Sequence, residues 1–400
     1  MRSAASGGAD LTTIKALKAL PYSTQWIEES DIEAAVAALR SEWLTSGPAL
    51  ERFERMLADY CGAKEAVAVS SGTAALHLTC LALDLGPKKR LLTSTLTFVA
   101  SANCALYCGA AASFADVDPS TGNMTAETLS RALAPDGADI VVPVHFGGRP
   151  ADVERLASVA GGAFIVEDAC HAMGAEYLSN GNWHRIGSCR HSVAAVFSFH
   201  PVKPMTTGEG GAILTNDSVL ARRLKALRSH GIVRDPAGQH EFGGWYYEMR
   251  ELGYNYRMTD IQAALGVAQL SRLNEGTKRR RDLAAMYVDL LGDCETISLP
   301  PEELHVRSAW HLFPVRVQHA CVDRRHVYDA LRERGIQAQV HYVPVHLHPY
   351  YRERFGFSPG QFPTAEEFYR EEISLPLFAT MTADDVRRVV DALREILVET

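Results

Sequence analysis

Lys203 has the most constrained setting of any lysine in the chain. It stands in Ser198-Phe199-His200-Pro201-Val202-Lys203-Pro204, just past the apolar run 193–197. Prolines on both sides restrict the backbone around it. A loop lysine is ordinarily a solvated charge. A lysine scaffolded in this way can instead present its amine to a carbonyl. It becomes a Schiff-base nucleophile when its surroundings disfavour the ammonium form.

Two further places carry chemistry by position. Ala66-Val67-Ala68-Val69 reads as a short buried strand, and Ser70-Ser71-Gly72-Thr73 turns from it into a helix. Helix N-termini present N–H groups without intrahelical acceptors and the positive end of the dipole. Such a turn is either a plain cap or a phosphate site. Gly72 lets the backbone approach closely, and Thr73 adds a hydroxyl. The apolar strand 163–166 ends in Glu167-Asp168-Ala169-Cys170-His171. An acid at such a tip is a cap or a ligand contact. His145, at the end of an expected strand 139–145, lies where ligands gather in open α/β sheets, but no role follows for it.

Other patterns lead away from chemistry. Gly208-Glu209-Gly210-Gly211 has Ile213 where a dinucleotide fingerprint needs its third glycine, and it precedes a strand. His341, His346 and His348 are interrupted by Pro344, followed by Pro349, and have no acidic residue nearby in sequence, which favours loop or substrate contacts over a metal. Cys104 and Cys108 have helical spacing but no second ligand pair, so zinc is not expected there either.

The elements that must position these residues alternate between strand and helix. Ser30 or Asp31 is expected to cap a helix through Leu39, and residues 50–60 form another. Strands are expected at 66–69, 91–93, 113–118, 139–145, 163–166, 193–197 and 212–214. A helix is expected to begin within 95–103; Phe98 in it reads either as a core aromatic, the commonest fate of the type, or as a ligand contact. Residues 218–228 and 261–273 read as helices and 234–251 as a loop. The run Gly276-Thr277-Lys278-Arg279-Arg280-Arg281 reads as a solvated helix face. Beyond it come helix 277–291, strand 309–315, helix 323–334, strand 338–342 and a final helix 383–399. Unalternated strands suit a parallel sheet covered on both faces. The expected division is a flexible tail over 1–20, a large α/β domain over 21–275 and a smaller α+β domain over 276–400.

Composition bounds the class. The chain has 400 residues, 47% hydrophobic and 22% charged, with a net charge of −8. That length allows a large core and two domains. There is no global basic footprint for nucleic acid, and no apolar run long enough for a membrane span. The start of the chain does not read as a secretory signal. The eight cysteines, scattered through apolar segments, read as buried thiols of a reducing compartment, so a cytoplasmic location is expected.

Taken together the segments resemble the DegT/DnrJ/StrS sugar aminotransferases. These are pyridoxal-phosphate (PLP) enzymes of fold type I, in the aspartate-aminotransferase superfamily. The resemblance runs from about residue 20 to 398. It rests on SSGTAAL at 70–76, EDACHA at 167–172, SFHPVK at 198–203, TTGEGG at 206–211 and GYNYRMTD at 253–260. It implies an α/β fold with a large, mostly parallel sheet and a smaller C-terminal α+β domain. It implies that Lys203 carries PLP, that Asp168 faces the ring nitrogen and that His171 contacts the ring near its phenolic oxygen. Phe98 would stack on the ring. Gly72, Thr73 and Ser198 would hold the phosphate, and no metal is implied. Asn255 would reach across a homodimer interface to the phosphate in the partner's active site. Within the family, LRSHGI, QAQVHYVPVH and EEFYREEISLP are similar to the branch serving pseudaminic-acid biosynthesis. That branch aminates the C4 ketone of a UDP-linked 2-acetamido-2,6-dideoxy hexos-4-ulose, with glutamate as donor. Another nucleotide keto-sugar is the first alternative, and a non-catalytic sensor or regulator on the same fold is the second. Related dehydratases carry His where this chain has Lys203.

Overall fold

Strands that are apolar along their whole length need cover on both faces, and the large sheet has it. A computed structural model describes residues 19–398 apart from Pro135 and Ala320. The sheet is built from β1 (Glu65–Val69), β2 (Arg90–Ser94), β3 (Ala111–Ala115), β4 (Ile140–Val142) and β5 (Phe164–Asp168). A hairpin, β6 (Glu176–Ser179) and β7 (Asn182–Arg185), stands apart, and β8 (Ala194–Ser198) and β9 (Gly211–Thr215) return to the sheet. Its order is β1-β9-β8-β5-β4-β2-β3. The pairs from β3 through β8 are parallel. β9 runs antiparallel to both of its neighbours, β1 and β8.

Helices cover both faces: α1 (Glu29–Arg40), α2 (Pro48–Cys61), α3 (Gly72–Ala82) and α4 (Ala100–Tyr107) come first in the chain. α3 is apolar almost all round and accordingly buried. Phe53 of α2 meets Phe199 edge-on at 5.5 Å, which ties the helical layer to the segment following β8. A second core gathers around an antiparallel sheet of Ile297–Ser298, Phe313–Val317 and Glu372–Leu375, with helices Leu273–Leu291, Arg324–Glu333 and Ala383–Val398 packed on it. The helix Leu273–Leu291 reaches both cores: Leu273 packs in the first, and Leu283 to Leu291 pack in the second.

Several expectations are corrected. Glu28, not Ser30 or Asp31, is the N-cap of α1, and Asp31 at the third helical position accepts the Glu28 N–H at 2.9 Å. Residues 234–251 are not a plain loop, since Pro236–Phe242 is helical, capped by Asp235 with Pro at the first turn. Residues 338–342 form no strand; Gln339 alone bridges Ser374. The basic run at 276–281 is not solvated throughout. Arg280 is buried and donates to the carbonyls of Leu377 (2.7 Å) and Trp310 (3.3 Å). Arg281 donates to those of Ser308 (2.9 Å) and Gly174 (3.0 Å). Of the eight cysteines, all free, Cys321 is exposed and three others are only half-buried. Residues 1–18 of the expected tail lie outside the described residues; Leu20, its last residue, is buried and bridges Ile336.

The second core contains an ionisable pair. Hydrogen bonds link Glu372 to Ser374 (2.5 Å) and Ser374 to His341 Nδ1 (2.8 Å), and the His341 N–H donates to Glu372 at 2.7 Å. Burial pushes the Glu372 carboxyl up to about 8 and the His341 imidazole down to about 3. Above the ordinary carboxylate range, folded Glu372 keeps a proton that the unfolded chain has released, so its contribution to stability falls as pH rises toward 8. His341 acts the other way, losing stability as pH falls below the ordinary histidine value. From about pH 6.5 to 8 Glu372 is the member of this pair that still contributes a slope, at most about 1.4 kcal/mol per pH unit, while Cys108, its thiol lowered to about 6 by its hydrogen bond with Cys80, contributes one of opposite sign. Glu372→Gln should therefore make the urea midpoint fall less, or rise more, with pH than in wild type over that interval. An unchanged slope would contradict the burial argument.

Candidate active site

Strand register brings the chemistry-bearing residues to one edge of the large sheet. Val69, at the end of β1, pairs with Gly211 of β9, and Gly211 pairs with Ser198, at the end of β8. Asp168, the last residue of β5, pairs with Val196 on the other side of β8. The carboxyl ends of β1, β5 and β8 therefore lie together, the usual ligand edge of an open α/β sheet.

Each residue is held there by local structure. Ser71 caps α3, its Oγ accepting the Ala74 N–H at 3.1 Å. This leaves the first-turn N–H groups of Gly72 and Thr73 without intrahelical acceptors. A side chain on Gly72 would strike Ser198 Cβ at 2.9 Å, so Gly72 and Ser198 are in close contact. Thr73 and Ser198 are half-buried. The connection from β8 to β9 carries Lys203. Its backbone is pinned by Phe199 N–H to Gly210 O (2.8 Å), Thr207 N–H to Phe199 O (3.0 Å) and Lys203 N–H to His200 O (2.9 Å). Phe199 is fully buried, so the segment is anchored before it turns outward.

Around the Lys203 amine the groups are mostly buried. Nζ lies 3.5 Å from His311 Nε2. The His311 and His171 rings are 4.5 Å apart, and His171 Nε2 is 3.1 Å from the Tyr342 hydroxyl. Asp168 is buried beside them. Its Oδ1 accepts the Cys170 N–H at 3.1 Å and its Oδ2 accepts Ser101 Oγ at 2.6 Å. Burial pushes the Lys203 amine below the usual lysine value, against the opposing pull of Cys170 and Asp168. Burial, with the Lys203 charge second, holds His171 and His311 well below the usual histidine value. At neutral pH both imidazoles are therefore neutral.

Phe98 is not packed in the core. It is 55% exposed, with its ring 6.0 Å from Tyr342, and α4 begins only at Ala100. Tyr342 links it to His171. Asn255 is exposed and bridges Ser229 through its backbone. Among the described residues no hydrogen bond or ring contact joins it to the Lys203 cluster of its own chain. His145 is buried. The Ala151 N–H donates to its Nδ1 at 2.9 Å, so the ring proton is on Nε2, which donates to Glu167 at 2.9 Å. His346 contacts Thr95 and Glu366, and among the described residues no His, Cys, Asp and Glu cluster could hold a metal.

Three residues at the site had gone unassigned: Ser101, His311 and Tyr342. His311 is positioned by backbone. Trp310 takes a left-handed conformation (φ 48°), and Arg280 grips the Trp310 carbonyl. Leu312 N–H donates to Gly147 O at 3.1 Å. Gly148, at φ +94°, leaves no room for a side chain, because a Cβ would meet His171 O at 2.7 Å and His311 N at 3.0 Å.

The residues fit PLP. The open start of α3 beside Ser198 is a cradle for a phosphate. Asp168 offers a buried carboxylate and Lys203 an amine with depressed basicity. Nδ1 of His171 is buried without a partner among the described residues, which leaves it available to a ligand.

Comparisons with known proteins agree with this geometry. The DegT/DnrJ/EryC1/StrS aminotransferase family matches residues 25–394. The Bacillus subtilis spore coat polysaccharide biosynthesis protein SpsC is 40% identical over 384 residues, covering 94% of this chain and 97% of its own. The UDP-4-amino-4,6-dideoxy-N-acetyl-beta-L-altrosamine transaminase of Campylobacter jejuni is 36% identical over 384 residues, with coverage of 94% and 97%. The solved structure of Helicobacter pylori PseC, an aminotransferase involved in the biosynthesis of pseudoaminic acid, has a TM-score of 0.87 at 30% identity. It covers 96% of this chain and 100% of its own.

The contact between β9 and α3 gives a test. A Cβ on Gly211 would come within 2.6 Å of the Ser71 carbonyl and 2.7 Å of Gly72 N. Gly211→Ala should cost about 1–3 kcal/mol in urea unfolding and weaken PLP binding in a fluorescence titration. Unchanged affinity would separate this contact from the phosphate cradle.

Proposed function

Because the chain belongs to the DegT/DnrJ/EryC1/StrS aminotransferase family, and is a PLP-dependent sugar aminotransferase, we propose that it moves the amino group of glutamate to the C4 ketone of a UDP-linked 2-acetamido-2,6-dideoxy hexos-4-ulose. The observation that carries the reaction is the placement of the Lys203 amine. It projects from a pinned loop, beside the Asp168 carboxylate, at the edge where α3 begins.

PLP, when bound, supplies a carbonyl that takes up amino groups and a ring that stores the electron pair left when a Cα proton departs. The chain supplies the rest. Lys203 is the covalent attachment point. Once displaced by the donor, its amine takes the proton from the donor's α-carbon and returns it one position away, as base and then as acid. Depressed basicity favours the neutral amine that this role requires. Asp168 keeps the ring nitrogen protonated. The α3 N-terminus, with Gly72, Thr73 and Ser198, holds the phosphate. Phe98 would stack on the ring, and His171 would contact it near its phenolic oxygen. Glutamate leaves as 2-oxoglutarate, and the same residues run the sequence in reverse on the sugar ketone.

Asn255 is exposed and, among the described residues, makes no contact with its own chain's cluster; it would complete the phosphate site of a second copy, and we propose a homodimer as the working unit. With no helix of the described residues long and apolar enough to cross a membrane, and eight free cysteines, we place the reaction in the cytoplasm.

The sugar is supported by likeness to the Campylobacter jejuni transaminase and the Helicobacter pylori protein. A second reading, a different nucleotide keto-sugar, is favoured by the equally extensive likeness to the Bacillus subtilis spore coat protein. A panel of UDP- and dTDP-linked 4-keto sugars with glutamate separates them: the proposal predicts amination of the UDP-linked 2-acetamido substrate in preference to the others. Lys203→Ala should cut turnover by roughly 10³-fold or more, since attachment point and proton carrier are lost together. Retained activity would overturn the assignment.

A further inference from the structure

Asp168 does not reach the site unsupported. Ser101, the second residue of α4, is 1% exposed, and its Oγ lies 2.6 Å from Asp168 Oδ2, 2.9 Å from Thr97 Oγ1 and 3.3 Å from Phe98 O. The hydroxyl has one proton to give. Of the three acceptors the carboxylate is nearest and the strongest, because a charge-assisted bond is about twice a neutral one. Thr97, itself 1% exposed, then donates to Ser101. Asp168 Oδ1 is taken by the Cys170 N–H. With Ser101 donating to Oδ2 and the Cys170 N–H to Oδ1, each carboxylate oxygen accepts a hydrogen bond that holds it in place.

We propose that Ser101, backed by Thr97, is a positioning residue that holds the Asp168 carboxylate aimed at the cofactor's ring nitrogen. The inference rests on the role given to Asp168 above. In a site screened from water, a carboxylate facing a protonated ring nitrogen competes with the neutral arrangement in which the proton has crossed to the carboxylate. Hydrogen bonds to the charged form decide between them. Ser101 supplies one from α4, the same segment that presents Phe98, so ring and carboxylate are aligned by one element.

The test uses full-length protein loaded with PLP carrying ¹⁵N at the ring nitrogen, whose chemical shift reports directly whether that nitrogen is protonated. Wild type should show the protonated shift. Ser101→Ala should move it toward the neutral value and lower kcat about tenfold or more, with KM for glutamate little changed. Ser101→Thr, which keeps the hydroxyl, should restore both. Thr97→Val, which removes only the outer donor, should move the shift the same way by less. An unmoved shift in Ser101→Ala and Thr97→Val overturns the inference, whatever happens to kcat. Wild type that binds no PLP, or binds it with a neutral ring nitrogen, overturns the Asp168 reading and this inference with it.

Discussion

The site depends on one close approach of backbones. β9 is the antiparallel strand wedged between β1 and β8, and its first residue, Gly211, lies against the carbonyl of Ser71 and the N–H of Gly72. A side chain there would push the start of α3 away from the strand that carries Ser198. Because the glycine has none, the helix N-terminus, the end of β8 and the Lys203 loop share one edge. The Lys203 loop is simply the connection that an antiparallel return from β8 to β9 requires. Its glycines turn the chain, its threonines bond its own carbonyls, and Phe199 roots it in the core.

Electrostatics follows from that packing. Lys203, His171, His311 and His341 lie close enough to influence one another, and burial disfavours charge on each. Full protonation would crowd several positive charges into a site of low polarity. The result is neutral imidazoles around an amine that gives up its proton more readily than a surface lysine. Arg280 adds to this from behind. It is buried, with no carboxylate partner among the described residues, its guanidinium lowered to about 10 by burial, and it bonds the Trp310 and Leu377 carbonyls. The second core therefore does more than cover the sheet. It delivers His311 and Tyr342 to the first core's catalytic edge.

Much of this was legible in the sequence, for stated reasons. Unalternated apolar runs ending in Gly72, Asp168 and Ser198 mark strand ends, and a lysine fenced by prolines marks a built loop. These are local signals. Ser101, His311 and Tyr342 were not legible as site residues. Ser101 meets Asp168 from 67 positions away, His311 meets Lys203 from 108, and Tyr342 meets His171 from 171. Nothing in a short window distinguishes a serine near a helix start from a serine that bonds a carboxylate. Arg280 was misread for a related reason. Three adjacent arginines look like a solvated face, but successive helical residues point in different directions, and one of them points into the core. For Phe98 the sequence leaves core and ligand contact both open; the chain turns before α4 and leaves its ring exposed. The part proposed for Asn255 needs a second chain.

The account stands on Lys203 being the attachment point for PLP, and borohydride trapping tests that most directly. Protein incubated with PLP, reduced with borohydride, digested and mapped by mass spectrometry should carry the added cofactor mass on the peptide containing Lys203 and on no other lysine. Label on a different lysine, or none above background, would contradict the placement of the reaction at the edge where β1, β5 and β8 end.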